Sequence, residues 1–355
     1  MSRRSWAWVV ALPLLLVLWL AAALLPVPYV TYQPGLTLDV LGKDDGKEII
    51  QVTGRKTYRD TGELRMTTVY VTQPDGTVTL AQALAAWLNP EQAVYPYDAV
   101  YRPDETAEQA DEESAAQMAS SQDAAVAVAL TELGYDVYQP VVGAVAEGLP
   151  ADGVLETGDV LLRVGDRRVD SAEDVVKGIE AATPGDPVEL TVERDGERQV
   201  LEVTPKQVDG EPRIGIEVGA SFDFPFEVDI SLKDVGGPSA GLMFSLGVYD
   251  TLTPGSLTGG QVVAGTGTLD PDGNVGPIGG IAQKVVGARD AGAELFLVPA
   301  ENCPAALGAP NGDLRLVRVE TMPQARDAIE DWVEDPDADL PSCEADTGTD
   351  ARAAA

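Results

Sequence analysis

One serine in this chain has the sequence context of a nucleophile. Ser239 lies within residues 236–241 (Gly-Gly-Pro-Ser-Ala-Gly), directly before an apolar stretch that predicts a helix. Glycines let a substrate carbonyl approach the backbone closely, and free N–H groups at a helix N-terminus favour developing negative charge. The pattern therefore predicts a serine beside an oxyanion hole. In the alternative interpretation, Ser239 merely caps the helix.

A lysine is the candidate base, because the chain contains no histidine. This excludes a Ser-His-Asp triad, a Cys-His dyad and a His-ligated zinc site. Lys284 falls on a predicted helix over residues 281–291, and Ile281, Val285 and Ala288 share its face. Burial there would lower the lysine pKa, and a neutral amine can take a proton from a serine hydroxyl. The alternative is a lysine whose ammonium group reaches water.

The composition limits the partners of the protein. Among its 355 residues, 24 Lys and Arg stand against 58 Asp and Glu, a formal net charge of −34. Such a chain repels phosphate, which excludes a nucleic-acid binder. A hydrophobic content of 45% is enough for a real core. The length predicts about two domains.

The N-terminal stretch predicts a membrane anchor. Residues 6–25 carry no charge, and about 20 such residues cross a bilayer as a helix. Arg3 and Arg4 would keep residues 1–5 in the cytoplasm, so we expect a single-pass cell-membrane protein whose bulk is extracytoplasmic. The alternative is a cleaved signal peptide, which also exports the remaining chain.

The C-terminal residues predict a tail and a disulfide. Residues 336–355 are rich in Asp, Ala, Thr and Pro and predict an acidic, disordered tail. Cys343 lies in this tail, and Cys303 is the other cysteine of the chain. Export would permit a disulfide between them. The alternative is a pair of free, buried thiols.

Residues 30–135 form an N-terminal part in which strands, a loop and a helix are expected. Strands are expected within residues 36–72. The charged residues 104–113 predict a mobile loop. Ser120 and Ser121 are expected to cap an alanine-rich helix.

Residues 136–207 resemble a PDZ domain of the type found in exported proteases. The resemblance rests on residues 148–151 (Gly-Leu-Pro-Ala) and residues 158–166, which read as turn, strand and turn. It implies a β-sandwich with a helix that binds extended peptides by adding a strand to a sheet edge. The peptide groove is assigned to Val141, Val142, Gly143, Val175 and Ile179. The alternative is a small β-domain that has only a packing role.

Residues 208–335 resemble the proteolytic domain of the Lon family, which uses a Ser-Lys dyad. The matching pieces are residues 237–241, residues 277–280 (Pro-Ile-Gly-Gly) with Lys284, residues 288–292 and residues 295–299. The resemblance implies an α+β fold.

The same resemblance implies the roles of the site residues. Ser239 is the nucleophile, Lys284 is the general base, and Thr266 hydrogen-bonds the lysine. The oxyanion group is assigned to the backbone of Gly237, Pro238, Ser239 and Ala240. No metal and no cofactor are expected.

Two departures from the Lon pattern refine the resemblance. Many Lon proteases carry an Asp where this chain has Gly236, and the nearest Asp here is Asp234. The sequence also lacks the Gly-x-x-x-x-Gly-Lys-Ser/Thr loop of an ATP-driven unfoldase. The chain is therefore similar to membrane-anchored, PDZ-containing Lon-like proteases without an ATPase module.

The Lon resemblance also extends upstream. Residues 61–69 and 121–134 look like the first strand and first long helix of the proteolytic domain. The PDZ module would then be inserted in the protease domain, and a linear order of modules is the alternative.

The combined prediction is an ATP-independent, membrane-anchored serine endopeptidase for exported or unfolded polypeptides. The resemblance also implies a homo-oligomer. The alternatives are a catalytically silent PDZ scaffold and a chaperone-like binding protein.

Overall fold

The chain folds into two compact units. The computed structural model describes residues 3–103, 105–208, 210–232 and 235–344, and for residues 3–7, 9 and 10 it describes the backbone alone. Unit 1 consists of Met1–Ala129 together with Val228–Ala355, and unit 2 consists of Leu130–Glu227. Unit 2 therefore interrupts unit 1 along the sequence.

The secondary structure is mixed. The N-terminal part contains α1 (Arg3–Ala23), β1 (Pro26–Val27), β2 (Tyr29–Asp39), β3 (Lys43–Asp44), β4 (Lys47–Glu48), β5 (Ile50–Val52), β6 (Glu63–Val71), β7 (Val78–Thr79), α2 (Leu80–Leu88), β8 (Ala93–Pro96) and α3 (Ala107–Glu132). The middle part contains β9 (Tyr138–Val145), β10 (Val160–Val164), β11 (Arg167–Arg168), α4 (Ala172–Glu180), β12 (Val188–Arg194), β13 (Glu197–Val203), β14 (Lys206–Val208), β15 (Glu211–Arg213) and β16 (Ile216–Phe222). The C-terminal part contains β17 (Val228–Ile230), α5 (Gly241–Leu252), β18 (Val262–Gly265), β19 (Thr268–Leu269), β20 (Val275–Gly276), α6 (Ile281–Asp290), β21 (Leu295–Pro299), α7 (Cys303–Ala306), β22 (Arg315–Val319) and α8 (Met322–Glu334).

Unit 1 is built on a mixed six-stranded sheet. Its strand order is β22-β21-β18-β6-β2-β8, with parallel pairing from β22 to β6 and antiparallel pairing from β6 to β8. Every residue of β21 is apolar and buried, as expected for a parallel strand covered on both faces. Helices α5 and α6 both contact β6. This sheet therefore places two helices against one strand.

The N-terminal residues form helix α1. Within the part of the chain that the structure describes, no helix has the length and apolar character needed to span a bilayer. The predicted transmembrane helix over residues 6–25 is therefore not supported.

Helix α3 begins earlier than predicted. The predicted loop over residues 104–113 is wrong from Ala107 onward, where the chain is helical. Thr106 and Gln109 form a capping box, because Gln109 N–H donates to Thr106 Oγ1 at 3.2 Å and Thr106 N–H donates to Gln109 Oε1 at 3.1 Å. Ser121 is consequently a mid-helix residue and not a cap.

Unit 2 is an antiparallel sheet with one helix. The strand order is β13-β12-β10-β9-β16, and β11 pairs with β10. The predicted β-sandwich with a helix is observed as this one sheet in contact with α4, and β14 and β15 form a separate two-stranded ladder. The unit also runs past the predicted boundary at residue 207, since β16 pairs with β9 from Ile216 to Phe222.

The first part of the predicted tail is ordered. Cys303 and Cys343 form a disulfide, and both side chains are buried. Arg318 N–H donates to the carbonyl of Pro341 at 2.9 Å, and Leu340 is buried. The prediction of disorder is therefore wrong for residues 336–344, while residues 345–355 lie outside the described residues.

Removing the disulfide is expected to destabilise unit 1 without changing the site chemistry. The bond joins residues 40 positions apart, and closing a loop of that size restricts the unfolded chain by about 4 kcal/mol. The double variant Cys303→Ala/Cys343→Ala should lose about that free energy of unfolding, measured by urea titration under oxidising conditions. An unchanged urea midpoint would contradict this expectation, and reduction of the wild-type chain provides the matched control.

Candidate active site

A cleft in unit 1 contains the predicted nucleophile and base. Its volume is about 350 Å³, and strand β6, helix α3 and the turn before α5 form its walls. The lining includes Met66, Thr67, Thr68, Val69, Tyr70, Val71, Met118, Pro238, Ser239, Ala240 and Lys284. Residues far apart in sequence thus meet at one surface.

Ser239 projects its hydroxyl towards this cleft from the turn before α5. Gly237 has a φ of +84°, which favours glycine, so the turn depends on a residue without a side chain. The N-cap of α5 is Ala240, and no side chain caps the helix. The interpretation of Ser239 as a mere helix cap is therefore wrong.

Lys284 is buried against Ser239. Its Nζ lies 2.7 Å from Ser239 Oγ, and the residue is only 2% exposed. Val285 and Ala288 of the same helix are also fully buried. Burial lowers the pKa of Lys284 from 10.5 to about 7, because the charged form loses its hydration. The alternative of a solvated ammonium group does not fit these contacts.

Thr266 orients the amine of Lys284. Thr266 Oγ1 donates its single proton to the carbonyl of Ser239 at 2.9 Å, so it can only accept from Lys284 Nζ, which lies 2.9 Å away. One N–H of a neutral lysine therefore points at Thr266. The lone pair of the amine is left for the hydroxyl of Ser239.

Two of the four residues in the predicted oxyanion group have no free N–H to donate. Gly237 N–H donates to the carbonyl of Ser114 at 2.9 Å, so it is already engaged. Pro238 has no N–H to offer. The assignment of these two residues as donors is therefore wrong. Among the described residues, the structure records no acceptor for the N–H groups of Ser239 and Ala240, which remain the candidate donors.

Gly236 packs closely against Ser114 of α3. A Cβ atom on Gly236 would lie 2.2 Å from Ser114 Oγ and 3.1 Å from Ser114 Cβ. An Asp at this position would therefore require the Ser114 hydroxyl to move. Asp234, the nearest acidic residue in the sequence, lies outside the described residues.

Strand β6 offers an open edge beside Ser239. Its pairing with β18 runs from Glu63 to Met66 and stops there. Residues 67–71 pair with β2 on one side, and their other side borders the cleft. A neighbouring cavity of about 560 Å³ shares Val69, Tyr70 and Val71 and continues along the same strand. The site therefore has room for several residues of an extended chain.

The predicted peptide groove of the PDZ module is not a groove. Strand β9 has β16 on one side and β10 on the other, so no peptide can add to it. The side chains of Val142, Val175 and Ile179 are buried in the core of unit 2. The backbones of Val141 and Gly143 lie opposite Gly219 of β16. The assignment of all five residues to a groove is wrong.

Strand β16 is one edge of the PDZ sheet, and β13 is the other. Ala220 lies opposite Pro140, which has no N–H, while the flanking Asp223 N–H donates to the carbonyl of Val137. Since pairing alternates along antiparallel strands, the N–H and carbonyl of Ala220 face away from β9. Helix α4 contacts β16. An extended peptide can therefore add to β16 beside α4.

Comparison with known proteins identifies both domains. Residues 232–330 match the model of the Lon protease (S16) C-terminal proteolytic domain. Residues 117–204 match the model of the PDZ domain. The predicted combination of a PDZ domain with a Lon-type proteolytic domain is thus confirmed. These matches support a serine protease.

The curated relatives are considerably longer than the matched region. Lon protease 2 of Bacillus subtilis (strain 168) is 31% identical over 110 residues, which cover 30% of this chain and 19% of that protein. Lon protease 2 of Herpetosiphon aurantiacus is 34% identical over 111 residues, which cover 30% of this chain and 13% of that protein. Among solved structures, the PDZ domain of the SdrC-like protein from Listeria monocytogenes is 24% identical, covering 24% of this chain and 88% of that domain with a TM-score of 0.22.

Proposed function

We propose that this chain is an ATP-independent serine endopeptidase that uses Ser239 and Lys284 as a catalytic dyad. The observation that carries the proposal is the buried Nζ of Lys284, 2.7 Å from Ser239 Oγ. A buried lysine is costly to maintain, and a pKa near neutrality suits it to act as a base. A catalytically silent scaffold would have no use for this arrangement.

Acylation follows from the geometry. Neutral Lys284 takes the proton of Ser239 as its Oγ bonds to the scissile carbonyl carbon. The carbonyl oxygen becomes an oxyanion that accepts hydrogen bonds from the N–H groups of Ser239 and Ala240. As the intermediate collapses, the C–N bond breaks and the Lys284 ammonium gives its proton to the leaving amine. An acyl-enzyme on Ser239 remains.

Deacylation repeats the same sequence of proton transfers, with water as the nucleophile in place of Ser239. Lys284 takes a proton from water, whose oxygen bonds to the acyl carbon. The C–Oγ bond then breaks, and the ammonium returns its proton to Ser239. No metal or cofactor is needed for either half of the reaction.

The substrates we propose are unfolded or exported polypeptides. The open edge of β6 accepts a chain only when that chain is extended, since strand addition uses backbone hydrogen bonds. The sequence has no ATP-binding loop of the Gly-x-x-x-x-Gly-Lys-Ser/Thr type. Incubation of the purified chain with a carboxymethylated, unfolded protein should therefore give cleavage products without ATP. Suppression of aggregation without cleavage would favour a chaperone-like function instead.

We propose that the PDZ module presents peptides at β16, and Ala220 tests this. In a Ser239→Ala background, which prevents cleavage, Ala220→Pro removes the N–H that faces the open edge. The Kd of a fluorescent peptide with an apolar C-terminus should rise roughly 5- to 10-fold, the worth of about one hydrogen bond, measured by anisotropy. Ala220→Val keeps the N–H and is the matched control. Equal Kd values for the two variants would contradict the proposal.

We also propose that the chain works outside the cytoplasm, in association with the cell membrane. The disulfide between Cys303 and Cys343 fits an oxidising compartment. The apolar side chains of α1 are exposed, including Leu12, Leu15 and Trp19, and a lipid surface would cover them. Protease protection of intact cells and membrane fractionation would test the location. Light scattering would test the homo-oligomer that the Lon resemblance implies.

A further inference from the structure

We infer that Ser121 is a positioning residue that turns the N–H of Ser239 towards the oxyanion. This inference rests on the proposed function, because it assigns a role within the same site. Ser121 lies on α3 and does not line the cleft. Its effect is exerted through the peptide unit that joins Pro238 to Ser239.

The first observation is a buried hydrogen bond from α3 to the catalytic turn. Ser121 is 5% exposed, and its Oγ donates to the carbonyl of Pro238 at 3.0 Å. This carbonyl and the N–H of Ser239 belong to one planar peptide unit. Because that unit is trans, the two groups point in opposite directions. Holding the carbonyl against α3 therefore directs the N–H of Ser239 away from α3.

The next peptide unit is held in the same manner. The carbonyl of Ser239 accepts hydrogen bonds from Thr266 Oγ1 and from Gly267 N–H, both at 2.9 Å. Fixing this carbonyl sets the direction of the Ala240 N–H. Two successive carbonyls are thus held by protein donors, and the two N–H groups bound to them are without a recorded acceptor in the described residues. Donors fixed before the reaction lose no energy to reorganisation.

Helix α3 holds the turn at a second point as well. The carbonyl of Ser114, two helical turns before Ser121, accepts the N–H of Gly237 at 2.9 Å. The packing between helix and turn is tight, because a Cβ atom on Gly241 would lie 2.9 Å from Ser121 Oγ. The hydroxyl of Ser121 therefore has little freedom to bond elsewhere. A mid-helix serine commonly bonds its own helix backbone, but this one bonds the catalytic turn.

The test compares Ser121→Ala with Ser120→Ala, a matched change at an exposed position of the same helix. We expect Ser121→Ala to lower kcat for an extended peptide amide by roughly 10- to 100-fold, below the effect of deleting an oxyanion donor outright. The Ki of a peptide aldehyde, whose hemiacetal oxygen occupies the oxyanion position, should rise by a similar factor. KM and the pH midpoint of activity should stay as in the wild-type chain, because Lys284 is untouched. Ser120→Ala should match the wild type in each measurement.

The outcomes separate this inference from the proposed function. If the wild-type chain cleaves and Ser121→Ala shows wild-type kcat and aldehyde Ki, the positioning role is wrong and the protease proposal stands. If kcat falls but the aldehyde Ki does not, the role is also wrong. If the wild-type chain itself neither cleaves nor binds the aldehyde, the proposed function is wrong. If Ser121→Ala fails to fold, Ser121→Cys replaces it in the test, because a thiol is a weaker hydrogen-bond donor than a hydroxyl. We expect the aldehyde Ki of Ser121→Cys to lie between the wild-type value and that of an enzyme without the donor. A wild-type Ki for Ser121→Cys would refute the inference.

Discussion

Replacing Ser239 with alanine is expected to reduce cleavage of an unfolded protein by roughly 10³-fold or more, since no nucleophile would remain. The matched control is Ser245→Ala in helix α5. Ser245 is fully buried, and its Oγ has no hydrogen-bond partner among the described residues. Ser245→Ala should leave kcat/KM unchanged. The comparison of the two variants therefore separates the loss of the nucleophilic hydroxyl from the general effect of removing a serine hydroxyl from this part of the protein.

Lys284→Ala should produce a loss of the same size, and the double variant should be no worse than either single variant. Residues that act as one unit show this non-additivity, because removing either member already abolishes the shared step. Cleavage can be followed by the release of a quenched fluorophore from the substrate. Equal residual cleavage in all variants and the wild type would show that a contaminant is responsible and would contradict the dyad.

The pH dependence is the second large effect. The base must be neutral, and burial lowers the pKa of Lys284 to about 7. The neutral fraction therefore falls about tenfold for each pH unit below that value, and kcat/KM should fall with it. Above pH 8 the profile should be flat. Lys284→Arg retains a positive charge at every pH tested, so its activity should be near background throughout.

A profile without an acid limb, or one that rises towards low pH, would contradict this account. Acid unfolding is the main competing cause, and Asp250 does not contribute to it. Burial raises the pKa of Asp250 to about 6. A carboxyl with a raised pKa in the folded state binds its proton more tightly there, so this group stabilises the fold as pH falls towards 4. Circular dichroism at each pH provides the direct control.

Ser239 and Lys284 could be identified from the sequence because each lies in a distinctive local pattern. Ser239 follows a glycine-rich turn, and Lys284 lies on an apolar helix face in a chain without histidine. The structure brings both together with Thr266 across 45 and 18 residues of sequence. Local patterns indicated Ser239 and Lys284 as candidates, and the Lon resemblance supplied their pairing and the role of Thr266.

The residues that support the site from helix α3 could not be identified from local sequence patterns. Ser121 and Pro238 are 117 residues apart, and nothing in the local pattern of α3 connects a mid-helix serine to a distant carbonyl. The Thr106–Gln109 capping box was a readable signal for the start of α3, but the run of charged residues was interpreted as a loop. A run of charged residues can thus lead to the prediction of a loop even where a capping box marks the start of a helix.

The error in unit 2 has a different cause. Strand β9 ends at Val145, and the strand that covers one of its sides, β16, begins only at Ile216. Sheet neighbours that far apart are not encoded in the pattern of either strand. The oxyanion assignment was wrong for two of its four residues for a simpler reason, because Pro238 lacks an N–H and the N–H of Gly237 is engaged by Ser114.

The most direct test of the proposed dyad is covalent labelling with a fluorophosphonate, followed by mass spectrometry of the digested protein. The reagent forms an O–P bond with an activated serine and releases fluoride. We predict one adduct, on the peptide that contains Ser239, with a labelling rate that increases through pH 7 and is lost in Lys284→Met. Labelling at another residue, or equal labelling of Ser239 in Lys284→Met, would contradict the claim that a buried amine activates this serine.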